Sequence, residues 1–259
     1  MLAAEERLPD FAVTAKILSE FNSININDAG RLARHCWGIL GSRLAPDSAQ
    51  ELTRKCEAYG VKTITLFSTG TAGFKPAALI KKASFADGSF SFTNAAGLSM
   101  NVAAADILVL SAAPHKEETV KTVKSVEGPS GGEKALRLGI MAATGLPIGM
   151  GKNKEVKKEV RTSETAFTLD IILKQPATRL RLTPADFDFS CLREKKTCSS
   201  QTNFYLLCAA LSLFAPGALK NTGLWAIIEH KPLSALPYDS MEDFETETRR
   251  LAALAAAVQ

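Results

Sequence analysis

Residues 79–113 read LIKKASFADGSFSFTNAAGLSMNVAAADILVLSAA, and this stretch decides the fold class of the chain. Phe90 and Phe92 alternate with small polar residues, which predicts a strand with one apolar and one polar face. Residues 87–88 are Asp-Gly, which predicts a turn, because glycine adopts a positive φ without a Cβ clash. A second turn is predicted over residues 94–97. The stretch therefore predicts consecutive antiparallel strands, and it contains no recognisable chemical motif.

Further strands are predicted in the middle of the chain. Three segments have the apolar or alternating pattern of strands: 106–110, 166–173 and 178–182. Because side chains alternate along a strand, Leu180 and Leu182 should face inward, whereas Arg179 and Arg181 should face outward.

Helical spacing of apolar residues predicts helices at both ends of the chain. Near the N-terminus, four apolar residues recur at this spacing: Phe11, Ala15, Leu18 and Phe21. A later helix is predicted to begin at Ser199 or Ser200, and Ser240 is predicted to cap the last helix. We expect the apolar stripe of that last helix to pack on the same chain, with a partner-binding surface as the alternative.

The first 70 residues follow the order helix, helix, helix, strand. The second helix starts near Asp-Ala at 28–29, the third carries DSAQEL at 47–52, and AYGV at 58–61 leads into the strand. This order over residues 10–68 resembles the C-terminal domain of the bacterial ribosomal protein L7/L12. The resemblance implies a small fold without a catalytic motif. The lysine-rich factor-binding stretch of that family is replaced here by SINI at 23–26, so a ribosomal function does not follow.

The order of elements after residue 70 resembles a second family. Strand hairpins, an Asp-Ile strand, an insertion, another hairpin and an amphipathic helix over residues 74–216 resemble bacterial PH-like domains. That resemblance implies an antiparallel β-barrel with a binding or scaffolding role. We therefore predict an α+β fold in three parts: an N-terminal α/β unit over 1–70, a PH-like β domain over 71–216 with a basic insertion at 114–162, and C-terminal helices over 217–259 that pack on the β domain.

The excess positive charge of the chain lies in one region. Residues 114–162 carry ten Lys/Arg and six Asp/Glu, a balance of +4, and the rest carries 21 of each. The densest basic run, 152–161, could contact phosphates of a nucleic acid or an anionic membrane surface. Glu155 and Glu159 interleave with the lysines at helical spacing, as on a solvated helix face, and no aromatic residue is present to stack on bases. The candidate anion-binding or partner-binding residues are Lys152, Lys154, Lys157, Lys158, Arg161, Arg179 and Arg181.

No motif has the spacing of a known chemical site. Five residues rather than four separate Gly145 from Gly151, and Asn153 stands where a phosphate loop needs Ser or Thr. Asp186 and Asp188 lack the glycine and glutamate of a calcium loop, which favours turn positions. The three histidines and five cysteines show neither zinc-ligand nor nucleophile spacing. We therefore predict no cofactor, no metal and no catalytic residue.

The functional prediction follows from this lack of chemical motifs. The chain is expected to be a cytoplasmic, non-enzymatic module that binds another protein. It shows no secretory signal, no transmembrane segment and no sign of a specific nucleic-acid partner. Two alternatives remain: peripheral binding of an anionic membrane or nucleic acid through the basic insertion, and an enzyme whose site assembles only in three dimensions.

Overall fold

The computed structural model describes residues 1–66, 76–86, 88–127, 131–145, 154–174, 178–232 and 238–257. It contains both helices and strands, so the predicted α+β class is confirmed. The chain divides into two compact units: Met1–Lys116 with Thr165–Gln259, and Glu117–Glu164. Within the described residues, no helix is both long and apolar enough to cross a bilayer.

Three helices and a short β-ribbon form the N-terminal region. The elements are β1 (Leu2–Ala3), α1 (Phe11–Asn22), α2 (Ile26–His35), α3 (Pro46–Ala58) and β2 (Thr63–Ile64), and β1 pairs antiparallel with β2. The side chains of Asp10 and Asn25 accept hydrogen bonds from the first backbone N–H groups of α1 and α2. Gly60 follows α3 with a φ of +73°, which a residue without Cβ adopts at low cost. Leu52 and Cys56 of α3 are fully buried and fix the helix to its neighbours.

Seven strands form the main sheet. They are β3 (Ala78–Ala86), β4 (Ser89–Asn94), β5 (Ser99–Ala103), β6 (Ile107–Glu127), β7 (Lys154–Leu173), β8 (Thr178–Leu182) and β9 (Leu219–Lys220), in the order β5-β4-β3-β8-β7-β6-β9. The predicted antiparallel pairs β3–β4, β4–β5 and β7–β8 are confirmed. However, β3–β8 and β6–β9 are parallel, and the order has two ends. The described strands therefore form an open sheet, and the expected closed barrel is not observed among them.

The predicted turn between β4 and β5 has a specific local cause. The side chain of Asn94 accepts hydrogen bonds from the backbone N–H groups of Ala96 (2.9 Å) and Leu98 (3.0 Å). Gly97 has a φ of +79°, a conformation that glycine permits. In the preceding turn, Gly88 has a φ of +71°, whereas Asp87 lies outside the described residues.

Helices cover both faces of the sheet. Three further helices belong to the first unit: α5 (Ser200–Phe214), α6 (Thr222–Ile228) and α7 (Met241–Ala257), and α4 (Gly131–Thr144) is described below with the second unit. Ile171 of β7 belongs to the same buried cluster as Phe204 of α5, whereas Ile172 belongs to a cluster with Leu251 of α7. Neighbouring residues of a strand point to opposite faces, so α5 and α7 cover opposite faces of the sheet. Alternation along a strand predicts that polar side chains opposite the α5 face are exposed to solvent. In the structure, α7 covers that face, so such side chains are covered by a helix.

The second unit, Glu117–Glu164, contains a helix, α4 (Gly131–Thr144), together with residues 117–127 of β6 and 154–164 of β7. The interpretation of residues 154–161 as a solvated helix face is wrong, because their backbone is a strand. Val156, Val160 and Thr162 are β-branched and favour an extended backbone, and β6 is the hydrogen-bonded neighbour of β7 in the sheet order. The predicted insertion at 114–162 overlaps this unit, and the other predicted domain boundaries stay predictions.

Candidate functional site between the first two helices

The predicted site residues do not form one group. Lys152 lies outside the described residues, and Lys154, Lys157, Lys158 and Arg161 lie on β7, with side chains outside the described part of the chain. These residues belong to the second unit, whereas Arg179 and Arg181 lie on β8 in the first.

Arg179 and Arg181 are part of a compensated ion cluster rather than a free cationic surface. Asp170 of β7 is fully buried and accepts hydrogen bonds from Nε of Arg179 (2.8 Å) and Nε of Arg181 (2.8 Å). Glu245 of α7 accepts from both guanidinium groups, at 2.7 Å and 3.2 Å. The prediction that Arg179 faces outward is wrong, because α7 covers this face and leaves Arg179 only 8% exposed. The cluster joins α7 to the sheet.

The charges of this cluster agree with a structural role. Partial burial alone would raise the pKa of Glu245, but the hydrogen bonds and charges of Arg179 and Arg181 lower it below its ordinary value. Glu245 therefore remains ionised at neutral pH and offsets the positive charge beside it. A partner-binding role for the two arginines is not needed to explain their positions.

A groove of about 570 Å³ between α1 and α2 is a better candidate site. Its lining combines apolar and basic side chains from the two helices: Phe11, Ala12, Ala15, Lys16, Ile26, Asn27, Gly30, Arg31, Arg34 and His35. We call this surface the basic groove.

The floor of the basic groove is apolar and open to solvent. Phe11 is 53% exposed and Ile26 is 51% exposed, although residues of this kind are usually buried. Gly30 contributes to the opening, because a Cβ at this position would lie 3.8 Å from Cζ of Phe11. Ala15 of α1 lines the groove on the other side and is buried.

The rim of the basic groove is cationic. Lys16 of α1 and Arg31, Arg34 and His35 of α2 are exposed. Arg31 lies 3.8 Å from the carboxylate of Asp28, an exposed pair that contributes little. Within the described residues, no carboxylate lies within 4.0 Å of the ammonium of Lys16 or the guanidinium of Arg34. The groove therefore presents at least two uncompensated positive charges beside its apolar floor.

His35 at the edge of the groove is held by α7. Its Nδ1 lies 3.2 Å from Oδ1 of Asp243, and Nε1 of Trp37 donates to the same oxygen at 2.7 Å. Partial burial would raise the pKa of Asp243, but hydrogen bonds from Trp37, His35 and Ser240 lower it below its ordinary value. Asp243 is therefore ionised at neutral pH and orients the imidazole.

This geometry suits binding more than nucleophilic chemistry. Cys36 is the nearest thiol in sequence to the oriented His35, but burial raises the pKa of Cys36, so its reactive thiolate form is disfavoured at neutral pH. In the described ranges, no three His, Cys, Asp or Glu residues come together as metal ligands. Asp188, considered above as part of a metal loop, instead caps a 3-10 helix by accepting from the backbone N–H of Ser190 (2.9 Å).

Sequence reasoning missed the basic groove. The helical spacing of Phe11 with Ala15 and Leu18 predicts an apolar stripe, which is normally buried, and no pattern in α1 alone distinguishes an exposed end of such a stripe. The available signal was on α2, where Arg31, Arg34 and His35 recur at helical spacing beside Gly30.

Comparisons with protein families, with curated proteins and with solved structures find no match.

Proposed function

We propose that this chain is a non-enzymatic module that binds another protein, and that the basic groove receives an acidic segment of that partner with an apolar face. One observation carries the proposal: half-exposed Phe11 and Ile26 lie in one groove with the cations Lys16, Arg31 and Arg34. An apolar floor favours burial of partner side chains, and the cations select acidic neighbours.

The shape of the groove favours a protein segment over a small molecule. Small-molecule sites enclose most of the ligand surface, whereas Phe11 and Ile26 are about half exposed. A groove between two helices is a common receptor for an amphipathic helix, whose apolar residues at i, i+3 and i+4 occupy the floor. Acidic residues flanking that stripe would then lie beside Lys16 and Arg34.

The resemblances and the location are part of the same proposal. Similarity of the N-terminal unit to the L7/L12 C-terminal domain, and of residues 74–216 to PH-like domains, would place two small binding folds in one chain. If residues 74–216 are related to PH-like domains, they differ from the barrel that this resemblance implies, because the described strands form an open sheet. A cytoplasmic location would bring the groove to an intracellular partner.

Site-specific photo-crosslinking in cells tests the proposal. A photoreactive amino acid at Phe11 should give a crosslinked protein product, whereas the same amino acid at Leu213, which is 83% exposed on α5, should not. Reversal of two rim charges by Lys16→Glu and Arg34→Glu should reduce the amount of protein crosslinked through the photoreactive amino acid at Phe11 about ten-fold or more. Arg54→Glu, at an exposed position of α3 outside the groove, is the matched control and should leave the product unchanged.

Two results would count against the proposal. The first is no crosslinked protein at Phe11 above the amount obtained at Leu213. The second is a product at Phe11 that the charge reversals leave unaltered, because the cations would then have no part in recognition.

A further inference from the structure

The main sheet ends at a strand whose outer edge is open. β5 is the first strand of the sheet order, and among the described strands it pairs only with β4. Four of its five residues are exposed to solvent: Ser99, Met100, Asn101 and Ala103. An edge strand presents unpaired backbone N–H and C=O groups, which can pair with a strand of another chain. The outer edge of β5 is therefore a candidate interaction surface.

The hydrogen bonds of the β4–β5 hairpin show which backbone groups point outward. The backbone N–H of Asn94 donates to the C=O of Leu98 at 2.9 Å, so these residues form a hydrogen-bonded pair. Such pairs alternate with non-hydrogen-bonded pairs along an antiparallel ladder, and the register therefore directs the backbone groups of Met100 and Val102 toward β4. The backbone groups of the other three residues point away from β4: Ser99, Asn101 and Ala103. Within the described part of the chain, no element other than β4 hydrogen-bonds to the backbone of β5.

The two ends of the sheet differ in how they are protected from pairing. The strand at the other end, β9, is only two residues long, and very short edge strands resist pairing with another chain. β5 is five residues long. Residues 88–105, which include β4 and β5, contain no charged side chain. The edge at β5 therefore lacks the charges that commonly block edge-to-edge pairing.

The pattern of β5 is complementary to a second copy of itself. In an antiparallel pair about a two-fold axis at Asn101, Ser99 lies opposite the second copy's Ala103, and Asn101 lies opposite its own equivalent. These are the residues whose backbone groups point outward, so this register forms about six backbone hydrogen bonds between the copies. Met100, which is 37% exposed, then lies opposite the second copy's Val102, and both are apolar.

The side chain at the axis is also compatible with its own equivalent. Like charges that lie directly opposite each other on paired strands repel, so a charged residue at position 101 would oppose self-pairing. The amide of Asn101 is uncharged and can both donate and accept hydrogen bonds. Its Oδ1 accepts a hydrogen bond from the hydroxyl of Ser91, and no described acceptor lies within hydrogen-bond distance of its Nδ2.

We propose that two copies of this chain pair through β5 and form a symmetric dimer in which the two main sheets are continuous. Five residues from each copy give a small interface, so the dimer is weak and depends on concentration. This inference goes beyond the proposed function, because the basic groove lies between α1 and α2 and contains no residue of β5.

Analytical ultracentrifugation of the full chain over a concentration series tests this inference. The wild type should form a dimer as its concentration rises to about 0.5 mM. Asn101→Lys should raise the Kd of the dimer about ten-fold or more, because two lysines would then meet at the axis. Gln50→Lys is the matched control, since it also replaces an exposed amide by a lysine but lies on α3, and it should dimerise as the wild type does.

Amide hydrogen exchange of the wild type, measured by NMR, provides a second readout that needs no variant. The N–H groups of Ser99, Asn101 and Ala103 should exchange about two-fold or more slowly at high concentration than at low concentration, because they become hydrogen-bonded between the copies. The N–H groups of Met100 and Val102 donate to β4 and should be protected at both concentrations.

Three results would overturn the inference. The first is a wild type that stays monomeric at about 0.5 mM, which would leave the edge of β5 to a strand of a different protein. The second is a dimer that Asn101→Lys forms as tightly as Gln50→Lys does. The third is exchange at Ser99, Asn101 and Ala103 that does not change with concentration, because a dimer would then use another surface.

Discussion

The carboxylate of Asp170, fully buried on β7, accepts a hydrogen bond of 2.8 Å from Nε of Arg179 on the adjacent strand β8. Arg181 donates to the same carboxylate, and Glu245 brings α7 to the two arginines. This cluster fixes the covering helix to one face of the sheet. It also explains why two arginines of a strand that alternates polar and apolar residues do not lie free on the surface.

Asp170→Asn should strongly destabilise the fold. The substitution keeps the size of the side chain but removes the charge that compensates two guanidinium groups. Because breaking a buried ion pair leaves charge uncompensated, the free energy of unfolding should fall by about 3–5 kcal/mol. Urea unfolding measures the change. Asp28→Asn is the control: it alters an exposed pair with Arg31 and an acidic residue in the first turn of α2, and should lower the free energy of unfolding by no more than about 1 kcal/mol. A loss for Asp170→Asn no larger than that of the control would show that the cluster does not hold α7.

Asp243 should make stability depend on pH in the acidic range. Hydrogen bonds from Trp37, His35 and Ser240 lower its pKa in the folded state, so its ionised form stabilises the fold above the ordinary aspartate pKa of about 3.9. That stabilisation is lost as the pH falls through the folded-state pKa. The free energy of unfolding of the wild type should exceed that of Asp243→Asn at neutral pH, and the difference should narrow below about pH 4. A difference that is constant or grows in acid would contradict the assignment.

Gly223 should tolerate no side chain. A Cβ at this position would lie 2.2 Å from the carbonyl oxygen of Ala112 and 2.7 Å from Cε2 of Tyr238. Gly223→Ala is therefore expected to lower the free energy of unfolding by about 1–3 kcal/mol or more, because backbone has to move. Gly217→Ala is the control, since no atom lies within 4 Å of its added Cβ. Equal midpoints of thermal unfolding for the two variants would refute the packing described around α6.

The sequence predicts local structure well where one strand or helix determines the pattern. The turn at Asn94, the alternation of Phe90 and Phe92, and the helix that begins after Ser199 all follow from neighbouring residues, and the structure confirms them. The two parallel pairings depend on residues distant in the chain, so alternation alone could not show that the described strands form an open sheet.

The site was less predictable than the fold. Alternation correctly placed Arg179 on the face opposite Leu180, but the sequence does not show that α7 covers that face. The basic groove forms only because α1 and α2 pack side by side, and no sequence motif predicts that packing. Helix α4 was also missed, because an apolar sequence that contains several glycines does not by itself distinguish a helix from a loop.

Filling the groove should prevent partner binding without unfolding the protein. Gly30 lies within α2, where leucine has a higher helix propensity than glycine, and a Cβ at this position is in ordinary contact with Phe11. Gly30→Leu should occupy the space that a partner side chain would enter. Gly30→Ala is the matched control, because it adds only the Cβ.

Use of the groove by the partner is measured by the amount of partner protein crosslinked through a photoreactive amino acid at Ile26, compared between Gly30→Leu and Gly30→Ala. Circular dichroism establishes that both variants keep the helical signal of the wild type. If the groove receives the partner, Gly30→Leu should lower the amount of crosslinked product about ten-fold relative to Gly30→Ala. Equal amounts of product from the two variants would contradict it, because a partner that binds with the groove filled does not use the groove.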